Sequence, residues 1–352
     1  MKTYIILALV STGAFVNAQC PTNLTVTTQQ EVDDFIVNYP TCTDIPGQLR
    51  FEGSGSDIVD ISAFAQLESV GLLYIEDTDI DSISFPNLTT TTSEIRIQFN
   101  NELLSISFPK VESIGSNMLI SANNNLTQLG TFDELIYIQG GFYVNSNDAL
   151  VNISGFQKLT TITNNYIVNA NSQNLIINGF QNLESIGDNF HVRGINSISN
   201  TSFESLTSIG GDFGLLENTN ITSLSPQFDN LSEINGNVDV NNNPLLSNCD
   251  LLCSLMHVFP FNKTITIFAN NSGCDSQAEV DMACLNPCEE TNLHINPIDQ
   301  QVYNVDRDIT SDATLLPNQS STFNAGRTVE LLPGFESNTG GIFEVVIIPC
   351  IE

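Results

Sequence analysis

The chain has 352 residues, 41 % of them hydrophobic, enough apolar material for a sizeable core and more than one folding unit. Nine Lys or Arg stand against 40 Asp or Glu, a formal charge of -31. Such a field repels phosphate backbones and anionic lipid, so nucleic acid and membrane surfaces are excluded as expected partners.

The first residues, MKTYIILALVSTGAFVNAQC, join Lys2 to an apolar run and to small residues at Val16 and Ala18. This predicts a secretory signal peptide over residues 1–18, cleaved after Ala18. No later stretch reaches the roughly 18 consecutive apolar residues of a transmembrane segment. The mature chain is expected to be secreted, or held at a cell surface by other means. Residues 19–56 read as an N-terminal cap. In TTQQEVDDFIVNY, Thr28 opens a short helix whose apolar residues are Val32, Phe35, Ile36 and Tyr39.

Residues 57–271 carry a repeat of about 24 residues. Its marker is a phenylalanine at Phe64, Phe85, Phe108, Phe132, Phe156, Phe180, Phe203 and Phe228, each followed three residues later by Leu or Val. Another three residues on comes an Ile or Val, with Thr91 the exception, and then an alternating apolar pair such as Ile95 and Ile97 or Phe142 and Val144. An asparagine follows at Asn100, Asn123, Asn147, Asn171, Asn218 and Asn243. The period is too short for a helix pair and fits one coil of a solenoid. Apolar residues recurring at two or three positions predict short strands, which stack as parallel sheets. The fold class is therefore mainly β, a right-handed parallel β-solenoid with the Phe column inside. The asparagines are read as structural, their amides satisfying backbone groups at a turn.

On the last strand of each coil, the residues beside the inward pair point outward. They form two columns: Tyr74, Arg96, Leu119, Tyr143, Ile167, His191, Gly214 and Asp239, then Glu76, Gln98, Ser121, Asn145, Asn169, Arg193, Leu216 and Asn241. Aromatic, arginine and amide side chains on one surface are what recognition surfaces favour. Tyr74, Arg96, Leu119, Tyr143, Ile167, His191 and Arg193 are the candidate ligand-binding residues. The lack of Trp weighs mildly against sugar stacking, though Tyr can substitute.

His191, His257 and His294 fall in different parts of the chain, and no hydrolase elbow, zinc-protease helix or phosphate loop occurs. Asp77, Asp79 and Asp81 alternate along one extended segment, but Ser82 stands where a calcium loop needs glycine and Leu88 where it needs glutamate, so a solvated acidic turn is the default. No enzyme activity, metal or cofactor is expected.

Eight cysteines in an exported chain imply disulfides. Neighbourhood pairs Cys20 with Cys42 and Cys288 with Cys350. Cys249, Cys253, Cys274 and Cys284 allow three connectivities. Secretion and the absence of a paired His-x-x-x-His turn Cys249-x-x-x-Cys253 away from zinc. Leu251, Leu252, Leu255 and Met256 predict a helix, Ile265 to Ile267 a strand ending at Asn270, and residues 272–288 a C-terminal cap. Residues 289–352 lack the Phe marker and read as a small stacked-β domain with a turn at Pro333-Gly334-Phe335. Asn-x-Ser/Thr sequons, including Asn23, Asn87, Asn125, Asn152 and Asn318, are read as a by-product of Asn- and Thr-rich turns.

The unit L-x-x-I…F-x-x-L-x-x-I-x-G…L-x-I-x-x-N, with a cysteine-pinned helix before it and C-x-x-x-C…G-C…C behind, resembles the receptor L domain of growth-factor-type receptors. EIRIQFNNELLSI is similar to leucine-rich repeats. The resemblance covers roughly residues 20–288 and implies a disulfide-capped solenoid that binds through variable outward residues. The phrase FNAGRTVELLPGFESNTGGIFEVVI looks like the stacked β modules of exported Bacteroidetes proteins, which implies a bacterial source. The expected function is non-catalytic recognition or adhesion, with an extracellular protein or glycan held on the outer sheet. The alternatives are a structural spacer of a surface layer and a β-helix polysaccharide-degrading enzyme using Asp77, Asp79 or Asp81.

Overall fold

The computed structural model describes residues 19–53, 58–256 and 263–284, and in the tail 292–295, 302–305, 308–312, 314–317, 319–325, 328–339 and 342–347. The expected signal peptide, residues 1–18, lies outside the described residues, as do His257, Cys288, Cys350 and the side chains of Cys253 and Cys284. The chain is mainly β, a parallel β-solenoid, and divides into two compact units: one runs to Ile221 and includes Pro226–Asp239, the other is Thr222–Ser225 with Val240–Glu352. Among the described residues no helix is long and apolar enough to cross a membrane.

In the first unit one long parallel sheet runs through Asp44–Glu52, Ser69–Glu76, Ile95–Gln98, Met118–Ser121, Phe142–Asn145, Tyr166–Asn169, Phe190–Arg193 and Phe213–Leu216. The register never slips between Ile95 and Val192: Ile95 pairs Met118, Met118 pairs Phe142, Phe142 pairs Tyr166 and Tyr166 pairs Phe190. A slip of one residue would turn every inward side chain to water, so the constant period and the constant face are one requirement. A narrower parallel sheet, Gln128–Leu129, Asn152–Ile153, Ile176–Ile177 and Ser197–Ile198, lies on another side of the coils.

The core is two aromatic ladders set edge to face. Phe85, Phe108, Phe132, Phe156, Phe180, Phe203 and Phe228 stack with centroids 5.0–5.6 Å apart. Phe142, Tyr166, Phe190 and Phe213 form a second stack at 5.1–5.4 Å. The two meet at right angles, as in Tyr166 against Phe180 at 89° and Phe190 against Phe203 at 90°. Stacked and T-shaped pairs are both favourable quadrupole arrangements. The Tyr166 hydroxyl is fully buried in this stack and has no hydrogen-bond partner, and burial holds its pKa well above the ordinary tyrosine value.

Each coil turns on the same two residues. Asp77, Phe99, Ala122, Ser146, Ala170, Gly194 and Glu217 all have φ between 50° and 69°, the left-handed region. The next residue is the buried repeat asparagine, except for Thr78 after Asp77 and Ile195 after Gly194. Asn123 illustrates its work: its Oδ1 accepts from the Asn100 backbone N–H at 3.1 Å and from Asn100 Nδ2 at 3.2 Å, while its Nδ2 donates to Ile97 O at 3.1 Å and Asn147 Oδ1 at 3.3 Å. Asn100, Asn147 and Asn171 repeat the pattern, joining Thr78 to Asn171 in one side-chain ladder. A left-handed turn costs an L-residue roughly 1–2 kcal/mol, and the amide bonds offset it. Thr78 stands at the start of the ladder, and position 195 interrupts it. Ile195 has no amide, and there the left-handed residue is Gly194, which meets no steric cost.

The N-terminal cap is the helix α1, Gln29–Asn38. Thr28 accepts from Glu31 N, and the Glu31 carboxylate accepts from Thr27 N at 2.7 Å, a reciprocal capping box that lowers the Glu31 pKa. Val32 and Phe35 are buried, and Phe35 stacks on Phe64 at 4.0 Å; Ile36, expected on the same face, is instead 47 % exposed because it lies one position round the helix. Gln29 ties the helix down, accepting from Val59 N and donating to Asp60 O, both at 2.9 Å. Cys20 and Cys42 are disulfide-bonded.

In the second unit Cys249 is bonded to Cys274, which selects one of the three connectivities and leaves Cys253 and Cys284 as the remaining two of that group. The helix α2, Leu251–Met256, buries Leu251, Leu252 and Leu255; α3 is Gln277–Cys284. Asn270 continues the asparagine pattern, accepting from Asn243 N at 2.9 Å. The tail strands pair in parallel: Asn292–Ile295, Asp308–Ser311 and Thr328–Leu331 in one sheet, Val302–Val305, Ser320–Ala325 and Ile342–Ile347 in another. Gly334, at φ 113°, makes the expected turn.

Replacing Asn123 by Ala orphans buried amide and carbonyl groups on both neighbouring coils and is expected to cost about 3–5 kcal/mol in urea unfolding. Ala122→Gly is expected to gain about 0.5 kcal/mol, and Gly194→Ala to lose a similar amount. Tyr166→Phe removes the unpartnered hydroxyl and is expected to stabilise by about 1 kcal/mol, read from the same unfolding midpoint.

Candidate recognition face

Strand register places the outward residues of the long sheet. Arg50 pairs Tyr74, Tyr74 pairs Arg96, Arg96 pairs Leu119, Leu119 pairs Tyr143, Tyr143 pairs Ile167, Ile167 pairs His191, and His191 pairs Gly214. The second column is Glu52, Glu76, Gln98, Ser121, Asn145 and Asn169, and Arg193 beside Leu216. Arg50 and Glu52 head these columns and were missed by sequence reasoning. Their signal is Leu49-Arg50-Phe51-Glu52, one period before Leu73-Tyr74-Ile75-Glu76.

The first end of the face is a closed charged cluster. The Arg50 guanidinium lies over the Tyr74 ring at 4.2 Å and that of Arg96 at 5.7 Å. Tyr74 donates to Glu76, Gln98 donates to Tyr74 Oη at 3.0 Å and to Glu76 at 2.8 Å, and Arg50 pairs with Glu52. Arg96 pairs with Glu94 at 2.9 Å. Tyr74 is therefore only 8 % exposed: it sits in its predicted column with its ring covered. Desolvation, with Glu76 beside it, raises its pKa. Glu52, Gly53, Glu76, Asp77, Phe99 and Asn101 line an adjoining cavity of about 500 Å³.

The middle is different. Leu119, Tyr143, Ile167 and His191 are all half-buried, with Ser121, Asn145 and Asn169 beside them. The Tyr143 ring folds back along its own strand over Gly141, where a Cβ would stand 2.4–2.5 Å from Cε2, Cζ and Oη. Only glycine leaves that bed open. Asn165 Nδ2 donates to the Tyr143 hydroxyl at 3.1 Å and fixes the ring. The His191 imidazole lies across Gly214 in the same way, 2.6 Å from where a Cβ would be. Arg193 is exposed and forks onto Glu217 at 2.7 and 3.0 Å, a pairing that raises its pKa.

A second amide ladder, unread in the sequence, borders the face. Asn117 Oδ1 accepts from Gly141 N, Asn165 Oδ1 from Asn189 N, Asn189 Oδ1 from Asp212 N, and Asp212 Oδ1 from Asn237 N, at 2.6–3.3 Å. It fixes the turn entering each outward strand as the buried ladder fixes the turn leaving it. Asp77, Asp79 and Asp81 remain exposed along their run while Thr78 and Ile80 between them are buried. Compared with profiles of known families, with curated proteins and with solved structures, the chain matches none.

Because the raised Tyr74 pKa reflects a phenol that is better protonated in the folded chain, its contribution is full below the ordinary tyrosine range and is lost as pH rises through the shifted value. Ultraviolet titration of the full chain against Tyr74→Phe is expected to isolate a late-titrating phenol, and Glu76→Gln to move it down.

Proposed function

We propose that the protein is a secreted, non-catalytic recognition or adhesion protein of receptor L-domain type, binding an extracellular protein or glycan on the outer face of the long sheet. One observation carries this reading. Seven candidate residues named from the repeat stand on a single in-register sheet, and the rings of Tyr143 and His191 lie close against Gly141 and Gly214, with the Tyr143 hydroxyl held by Asn165. A preorganised surface loses little entropy on binding. Export is supported by the N-terminal MKTYIILALVSTGAFVNAQC and by the two disulfides. A Bacteroidetes-type source rests on the tail phrase FNAGRTVELLPGFESNTGGIFEVVI.

The test is capture of polysaccharides and extracellular proteins on an array by residues 19–352, beside a folded variant with Arg96, Tyr143, His191 and Arg193 changed to Ala. The native chain is expected to bind at least one component and the variant to bind it at least about tenfold more weakly. Equal binding by both, or by neither, would give the face to scaffolding and the spacer role to the protein.

A further inference from the structure

Granting that the long sheet is the binding face, we propose that its middle strip, from Leu119 to His191, is a site for a linear uncharged glycan lying along the stacking axis, with Tyr143 as the stacking platform.

The first argument is shape. One side of the Tyr143 ring is occupied by its own strand at Gly141, and its hydroxyl is held by Asn165. The Cε2-to-Oη edge of the ring is thus set against the backbone, and the half-buried residue keeps part of its ring open to solvent. A flat, fixed π-face takes the axial C–H face of a pyranose without ordering cost. Leu119 and Ile167, one strand to either side, continue the apolar floor. His191 lies two strands on, roughly 10 Å away at the usual spacing between neighbouring strands. An extended β-linked chain advances per sugar by close to one strand spacing, so alternate sugars would meet Tyr143 and His191.

The second argument is polarity. Ser121, Asn145 and Asn169 run beside the apolar column in the same register, one hydroxyl or amide per strand. The Asn145 Oδ1 is buried and without a hydrogen-bond partner, so Ser121 and Asn169 are the more accessible polar groups of this column. An apolar floor with a few placed polar groups is the usual make-up of a small-ligand site, and sugar hydroxyls both donate and accept.

The third argument is charge. In a chain of formal charge -31, the outward residues Leu119, Ser121, Tyr143, Asn145, Ile167 and Asn169 carry no charge near neutral pH, and His191 closes the strip as its one imidazole. The charged side chains of the face stand at its two ends, with Arg96 paired to Glu94 and Arg193 to Glu217. A uronate or sulfated polymer would meet the overall repulsion with only Arg96 and Arg193 at the ends of the strip, both already paired, to offset it. A polyamine would find no carboxylate there. An uncharged polyol needs neither.

The experiment is calorimetric titration of residues 19–352 with uncharged linear hexasaccharides (β-1,4-glucan, β-1,3-glucan, β-1,4-mannan, β-1,4-xylan), with polygalacturonate as the charged control. Tyrosine fluorescence gives a second readout in a chain without Trp. At least one uncharged hexasaccharide is expected to bind and to perturb that fluorescence. Tyr143→Ala and Gly141→Ala are each expected to weaken it about tenfold or more, while Tyr143→Phe stays within about threefold. Gly141→Ala keeps the ring and only lifts it, so a loss there speaks for the platform and not for folding, which circular dichroism of each variant checks. Preference for polygalacturonate, or hexasaccharide binding indifferent to Tyr143→Ala, would overturn the proposal. So would failure of every hexasaccharide alongside capture of a protein by the native chain but not by its four-residue variant; that last result overturns the glycan and leaves the recognition face standing.

Discussion

Everything in the first unit depends on each coil reversing direction at the same place, by the same amount. The reversal is a residue in the left-handed region followed by a buried asparagine, from Phe99 and Asn100 through Glu217 and Asn218, with Thr78 and Ile195 standing in for the asparagine in two coils. A solenoid coil has no partner to correct it except the coils above and below, so an error in one turn would propagate as a register slip. The asparagine side chain removes that freedom. Its Oδ1 accepts from the turn behind and its Nδ2 reaches the strand carbonyl of an earlier coil, which makes each turn a template for the next.

The aromatic core follows from that repetition. Rings in successive coils arrive at the same height and rotation, so they stack at close to the strand spacing, and the two stacks interlock edge to face. The core then sets the outside. With inward positions of each outward strand filled by pairs such as Phe142 and Val144, Tyr143 and Asn145 have no choice of side. Gly141, just before its strand, and Gly214, within one, make room for the Tyr143 and His191 rings: glycine is a cost to a sheet, and here each is covered by an aromatic side chain.

What the sequence discloses depends on whether a position tolerates more than one residue type. The Phe marker and the repeat asparagine are legible because a stacked ring and a two-sided amide have few substitutes. The left-handed residue before the asparagine is illegible: Phe99, Ala122, Ser146 and Glu217 share a backbone conformation and nothing else, since their side chains leave the coil. The second ladder hides for a related reason, because Glu94, Gly141 and Asp212 stand in line with Asn117, Asn165 and Asn189 and break its pattern. Tyr74 was placed in the right column, but its cover by Arg50 depends on a strand that precedes the first Phe marker. The parallel pairing of the tail was hidden because its coils lack that marker.

The most direct measurement is hydrogen exchange of the full chain, resolved to single amides at the turns. The account predicts that the backbone amides of Asn100, Asn123 and Asn147, each donating to the next asparagine, exchange only through global unfolding. The Asn171 amide, facing Ile195 where the ladder has no side-chain acceptor, should exchange faster than these three. Exchange of all four at one rate, or at rates typical of exposed turns, would contradict the claim that the asparagine ladder holds the coils in register.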